Sequence, residues 1–145
     1  MRNLSIRSAK ISDLANLKAL LSSCKLTTEG LTEHIDHFLV GEIEQEFCAA
    51  VGLEIYNSDA LLRSFAVKEN QRANGLGKLM YLAALDLAKK NGVRQVFILT
   101  ETAERFFEKA GFKKLARESA PNSIKATSEF REICPASAAF MKLRL

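Results

Sequence analysis

The stretch from Leu61 to Lys90 constrains this chain more than any other. It joins an apolar run (Leu61 to Val67), a polar turn, the Gly75-Leu76-Gly77 segment and a strongly amphipathic helical pattern. Strand, glycine turn and helix together make an anion-binding arrangement. Small residues let a ligand approach the backbone, and the first amides of a helix lack intrahelical partners at the positive end of its dipole. The expected occupant is a phosphate.

The pattern extends on both sides. After the turn, Leu76, Leu79, Met80, Ala83 and Leu87 recur at helical spacing, Lys89 and Lys90 suit the negative helix end, and Gly92 is placed to terminate it. Val93 to Thr100 is β-rich with an apolar centre, which predicts a parallel β-α-β unit with the Leu61 strand. Upstream, Phe38 to Glu44 and Phe47 to Tyr56 read as strands joined at Gln45-Glu46, and an Asn57-Ser58-Asp59 turn leads into the Leu61 strand as an antiparallel meander. The chain opens with a short strand (Leu4 to Arg7). A helix capped by Ser12 follows, carrying Leu14, Leu17, Leu21 and Cys24, and then a short helix around His34. Beyond the β-α-β unit come a helix capped by Thr102 and ended by Gly111, a strand from Phe112 to Leu115, a helical start at Pro121 and a final alternating strand to Leu145.

A length of 145 residues suits one domain, 1–145, and no apolar run approaches the ~20 residues of a membrane span. The start of the chain lacks a signal-peptide apolar core, so the expectation is a cytoplasmic protein without membrane association. Cys24, Cys48 and Cys134 are widely spaced and are read as reduced thiols. His34 and His37 have no third ligand candidate nearby, so no metal is expected. The net charge of +4 favours anionic partners, but the basic residues are scattered and not interleaved with aromatics, which speaks against nucleic acid.

Dinucleotide and P-loop fingerprints both fail, because Met80 stands where G-x-G-x-x-G needs its third glycine and Gln71 where the P-loop needs its first. Arg72-Ala73-Asn74-Gly75-Leu76-Gly77 instead resembles the R/Q-x-x-G-x-G/A pyrophosphate loop of the GNAT N-acetyltransferase superfamily. Ala103-Glu104-Arg105-Phe106-Phe107-Glu108-Lys109-Ala110-Gly111-Phe112 looks like that family's second signature, and the element order agrees over nearly the whole chain. The closer likeness is to N-acetylglutamate-synthase-like and arsenic-operon-associated N-acetyltransferases. It is carried by Leu61 to Val67, by Leu99 to Phe107, and by Thr127-Ser128-Glu129-Phe130 leading to Cys134-Pro135-Ala136-Ser137-Ala138.

This resemblance implies an α/β (α+β) fold, the GNAT acyl-CoA N-acyltransferase fold. Its mixed, mostly antiparallel twisted sheet surrounds a central parallel strand-helix-strand unit, with helices on both faces. It implies acetyl-CoA as co-substrate, with the pyrophosphate held by Arg72, Ala73, Asn74, Gly75, Leu76, Gly77 and Lys78. The pantetheine arm would lie along Phe65, Ala66 and Val67 as an extra strand, with Glu104 and Phe107 also at the coenzyme. The Phe65 amide would stabilise the oxyanion.

The acceptor side is less defined. Transfer needs a neutral amine; an α-amino group titrates at about 8, whereas a lysine side chain near about 10.4 is more demanding. The chain departs from the family by having Leu61 where some members carry a glutamate base and Phe107 where many carry a tyrosine acid. Glu54 or Glu101, acting through water, are the candidate bases. Arg63, Ser64, Thr100 and Cys134 are the candidate substrate residues, with Arg63 suited to bind a carboxylate. The leading expectation is an enzyme acetylating a small-molecule amine, an amino acid or analogue, in a ternary complex. The alternatives are a protein N-acetyltransferase and a non-catalytic acyl-CoA-binding regulatory domain. By analogy with the superfamily, a homodimer paired through the terminal strand is a further expectation.

Overall fold

The computed structural model describes residues 4–72, 75–133 and 138–145. Among them one seven-stranded sheet runs in the order β1-β2-β3-β4-β5-β7-β6. The strands are β1 (Leu4–Ser8), β2 (Phe38–Ile43), β3 (Glu46–Tyr56), β4 (Asp59–Val67), β5 (Gln95–Thr100), β6 (Lys113–Lys114) and β7 (Ala139–Arg144). Every neighbouring pair is antiparallel except β4 and β5. The helices are α1 (Leu14–Ser23), α2 (Leu31–His34), α3 (Leu76–Lys90), α4 (Glu104–Lys109) and α5 (Asn122–Lys125), and a π-helical turn spans Glu129–Ile133.

The meander is closed by two-residue turns. Ile43 pairs with Glu46 across Glu44 and Gln45, both at positive φ, and Tyr56 pairs with Asp59 across Asn57 and Ser58, with Asn57 at φ 58°. These left-handed residues give the twist that hairpin strands require, and they move the first turn one residue N-terminal of the Gln45-Glu46 expectation. Arg7 ties β1 to the helical layer through a bidentate pair with Asp13 (2.8 and 2.9 Å). Asp13, not Ser12, opens that helical segment, since its carboxylate accepts the Lys10 amide at 2.7 Å.

Alternating residues send two apolar sets to opposite faces. Leu53, Leu62, Val96 and Ile98 pack with α3 and with Phe107 of α4, while Phe38, Ala50 and Ala66 pack with Leu17 and Leu21 of α1. Leu61, Phe97 and Phe140 meet Ile124 of α5. The buried face of α3 is Leu76, Met80, Tyr81, Ala84 and Ala88, and Leu79 is 45% exposed, so the stripe is rotated from the expected one. Two alanines in the stripe let the helix axis come close to the sheet, and a Cβ on Gly41 of β2 would lie 2.8 Å from the Met80 sulfur. Gly92, at φ 77°, ends α3 as expected, with the Val93 amide bonding back to the Ala88 carbonyl at 3.0 Å. The terminal strand β7 lies between β5 and β6, so it is used within the chain instead of being a free edge.

Candidate active site

The site grows out of a fork in the sheet. The parallel ladder of β4 and β5 ends at Leu61 opposite Phe97. Beyond that point β4 continues to Val67 on β3, while β5 continues to Thr100 on β7. The two strands part, and the β4 edge from Leu62 onward faces an opening where a peptide-like ligand can pair as a strand does.

β4 is also bulged there. Gly52 pairs with Arg63 and Ala50 with Ala66, so Ser64 and Phe65 together oppose the single residue Val51. Ser64 sits at φ 56°, a left-handed conformation uncommon for serine, and the bulge turns the Phe65 backbone relative to a regular strand.

A groove of about 560 Å³ lies at the fork, bounded by Phe65, Ala66, Val67, Arg72, Gly77 and Phe106 among others. Five coenzyme candidates, Phe65, Ala66, Val67, Arg72 and Gly77, are thus brought together. Gly75, at φ 77°, precedes the first residue of α3 and so supplies the left-handed entry into the helix. A Cβ on Gly77 would approach the Phe65 ring and Val67 only at ordinary contact distances, 3.8 and 3.9 Å. Lys78 is exposed beside it, whereas Leu76 points into the core. The Arg72 Nε donates to the Val67 carbonyl at 3.0 Å, which fixes the guanidinium at the groove and occupies one acceptor of the strand edge. Ala73 and Asn74 lie outside the described residues.

Glu104 and Phe107 separate from this group. Glu104 pairs with Lys114 at 3.4 Å near the surface, and Phe107 is buried with its ring edge-on to Phe65, Tyr81 and Phe112. Burial pushes the Tyr81 phenol above its usual range.

A smaller cavity of about 120 Å³ adjoins the groove, and the two share Leu26, Phe65, Thr102 and Ala103. Its polar side chains are Arg63, Ser64, Thr100, Thr102 and Glu129. Arg63 is held rigidly: its side chain is 1% exposed and donates to Glu54 (2.8 Å), to Ser64 Oγ (3.0 Å) and to the Glu29 carbonyl (2.5 Å), with its guanidinium over the Phe38 ring. Glu54 likewise receives the Tyr56 hydroxyl at 2.5 Å and lies 3.4 Å from His34 Nε2. Burial and this contact with Glu54 push the Tyr56 phenol well above its usual range. The expectation of Glu54 facing the cleft as a base is therefore corrected, because its oxygens are taken up in a buried ion pair. Glu101 is exposed at a neighbouring cavity of about 300 Å³, which it lines with Lys25, Thr27, Thr100 and Glu129. Thr100 also accepts the Ala103 amide at 2.9 Å, so it holds the entry to α4, a part expected of Thr102. Cys134 lies outside the described residues.

Glu129 was not among the candidates read from the sequence. It lines both the 120 Å³ and the 300 Å³ cavities, and its carboxyl is pushed up to about 7, chiefly by burial, with Glu54 adding to the rise and Arg63 opposing it. The residue is partly exposed and lines both cavities, and the protein packed around it withholds hydration from its carboxyl. Its only sequence signal is a lone carboxylate in the Thr127-Ser128-Glu129-Phe130 tail segment.

This arrangement, a forked sheet with a groove over a helix N-terminus and a polar cavity beside it, is that of an acyl-CoA N-acyltransferase. The profile of the Acetyltransferase (GNAT) family matches residues 13–112. The chain belongs to that family and is an acetyl-CoA-dependent N-acetyltransferase. An uncharacterized N-acetyltransferase of Chlorobaculum tepidum is 28% identical over 127 residues, covering 82% of this chain and 81% of that protein. N-acetylglutamate synthase of Neisseria gonorrhoeae, solved with coenzyme A and N-acetyl-glutamate, superposes with a TM-score of 0.87 at 20% identity. The match covers 99% of this chain and 35% of the synthase, so the chain spans about a third of that protein's length. A Mycobacterium tuberculosis protein solved with CoA and NLQ superposes with a TM-score of 0.81 at 19% identity, covering 97% of this chain and 99% of that one.

Proposed function

We propose that the protein moves the acetyl group of acetyl-CoA onto the amine of a small molecule, an amino acid or analogue, by direct attack in a ternary complex. The observation that carries this reading is the meeting of the large groove and the small polar cavity at Phe65. The pantetheine arm runs along the free β4 edge, the pyrophosphate sits at the N-terminus of α3 with Arg72 and Lys78 adding charge, and the thioester reaches Phe65. There the Phe65 amide, turned by the bulge at Ser64, donates to the oxyanion that forms as the amine attacks.

A cavity of about 120 Å³ admits a small acceptor in preference to an extended peptide, which supports a metabolite over a protein substrate. Arg63 retains guanidinium N–H donors beyond its three bonds, and with Ser64 and Thr100 it offers hydrogen bonds to a substrate carboxylate. The fold likeness to a synthase solved with N-acetyl-glutamate supports an amino-acid-like acceptor. The reading places the reaction in the cytoplasm with one catalytic domain.

The test is a thermal-shift titration with acetyl-CoA followed by a thiol-release assay across the proteinogenic L-amino acids and their arsenic-containing analogues. Stabilisation by acetyl-CoA with thiol release for one or a few of these amines is the expected result. Binding of acetyl-CoA with no acetylated product from any amine would overturn the reading in favour of a regulatory acyl-CoA-binding domain.

A further inference from the structure

An amine bound next to a thioester attacks only after it has lost a proton, and the strands that form the fork do not supply an acceptor for it. On β4 the cavity-facing charge is a cation, Arg63. On β3 the only buried carboxylate, Glu54, is bound to that cation and to Tyr56. Leu61 occupies the start of β4 and is itself fully buried.

The carboxylate that does reach the cavity comes from the other end of the chain. We propose that Glu129, carried by the π-helical turn of the C-terminal segment, is the general base that takes the proton from the acceptor amine. This rests on the acetyl-transfer reading above.

Three features support the assignment. First, the turn that carries Glu129 is anchored. The Thr127 hydroxyl donates to the Ile124 carbonyl at 2.8 Å and accepts the Phe130 amide at 3.2 Å, the Thr127 carbonyl accepts the Arg131 amide at 3.0 Å, and Phe130 packs edge-on against Phe140. A side chain between two such fixed residues has a defined direction. Second, Glu129 shares its cavity with Phe65, the residue at which the thioester arrives, so base and electrophile border the same space. Among the described residues its carboxylate makes no hydrogen bond or ion pair. Third, its proton affinity fits the work. A carboxylate at its ordinary value is a poor acceptor for an ammonium proton, whereas a carboxyl raised to about 7 is both substantially ionised and substantially basic near neutral pH. The charges that face it are Arg63, which favours its ionised form, and Glu54, which opposes that form. Lys25 and Glu101 line the adjoining cavity, and His34 stands behind Glu54.

The step balances as follows. The Glu129 carboxylate accepts one proton from the ammonium group, and the freed lone pair forms the C–N bond at the thioester carbonyl. The C–S bond then breaks and the sulfur leaves with its electron pair. One of the two protons still on the attacking nitrogen passes to the thiolate and the other stays as the amide N–H, giving the N-acetyl product and the free thiol of coenzyme A, and Glu129 returns its proton to solvent.

The experiment compares the wild type with Glu129→Gln and Glu101→Gln, using the fastest amino acid from the thiol-release panel and its methyl ester, whose amine is less basic. Glu129→Gln is expected to lower kcat by about 10²- to 10⁴-fold with unchanged acetyl-CoA affinity. Glu101→Gln, at the competing candidate base, is expected to lower kcat less than Glu129→Gln does. The wild-type kcat is expected to fall on the acid side with an apparent pKa near 7 that is the same for both acceptors. A Glu129→Gln enzyme that keeps its rate, or an acid limb that follows the basicity of the amine, would overturn the proposal while leaving acetyl transfer standing. Loss of rate in Glu101→Gln with Glu129→Gln unaffected would move the role to Glu101. If Glu129→Gln fails to bind acetyl-CoA, the two-acceptor profile of the wild type still decides. A wild type that releases no thiol with any amine removes both readings together.

Discussion

The guanidinium of Arg63 and the carboxylate of Glu54 meet at 2.8 Å between β4 and β3, with side chains 1% and 4% exposed. They are diagonal neighbours in the ladder, since Glu54 pairs with Leu61 and Gly52 with Arg63, so both project from the same face of the sheet. Breaking a buried pair on one side leaves the other charge uncompensated. Glu54→Gln is therefore expected to destabilise the protein by about 3–5 kcal/mol in denaturant unfolding. It also removes a negative charge that raises the Glu129 carboxyl and frees the positive charge that lowers it. Both changes act in the same direction, so the acid limb of kcat should shift to lower pH. A limb unchanged in a folded Glu54→Gln enzyme would uncouple the pair from Glu129.

Gly52 is demanded by the same neighbourhood. A Cβ there would fall 2.3 Å from the Phe38 ring, which lies beneath the Arg63 guanidinium. Phe38 is fully buried and cannot retreat without displacing Arg63. Gly52→Ala is expected to cost about 1–3 kcal/mol or more by overpacking and to weaken acceptor binding more than acetyl-CoA binding. Combining it with Phe38→Leu should recover part of the stability. A Gly52→Ala protein as stable as wild type would show that the ring adapts freely.

The features legible in the sequence are those whose cause is local. Gly75 and Gly92 are needed because the chain enters and leaves α3 with positive φ, and such requirements are written at the position itself. The parallel pairing of β4 and β5 follows from the β-α-β order, and the ladder runs from Asp59 to Leu61. What the sequence hides depends on distant residues. The α3 stripe rotates because Met80 fits against Gly41 while Ala84 and Ala88 are buried beside it, and Leu79 has a hydrophobic period that satisfies either face. The Glu54–Arg63 pair follows only from the hairpin register that the two-residue turn at Asn57 and Ser58 sets. Glu129 lies outside any periodic element and gains its meaning from a cavity built by β4, β5 and the segment around Leu26.

Cys24 offers a direct view of donor binding. Its sulfur lies 3.4 Å from an Arg72 nitrogen at the groove, and the residue is partly exposed, whereas Cys48 is fully buried. Alkylation mapped by mass spectrometry is expected to modify Cys24 well ahead of Cys48. Saturating acetyl-CoA should slow the Cys24 reaction several-fold, and Arg72→Ala should weaken that protection. Labelling of Cys24 that is indifferent to acetyl-CoA would mean that the coenzyme does not follow the Val67 edge.

Glu129 should also leave a mark on stability that needs no substrate. Its carboxyl is raised in the folded protein to about 7, above the ordinary value of 4.5 that the unfolded chain restores. Between those values the folded state binds more protons than the unfolded state, so unfolding free energy falls as pH rises through this window. The stabilising contribution is complete below about 4.5 and is lost above about 7. Allowing for the partial opening of the site to solvent, the loss is on the order of 2 kcal/mol. Glu129→Gln stays neutral throughout, so the difference between variant and wild type should grow in the variant's favour from pH 5 to pH 8 by about that amount. Denaturant unfolding of both proteins across that range measures it. Parallel stability curves would show that Glu129 titrates at its ordinary value and is too well hydrated to hold a proton at neutral pH, which would remove the physical ground for its role as a base.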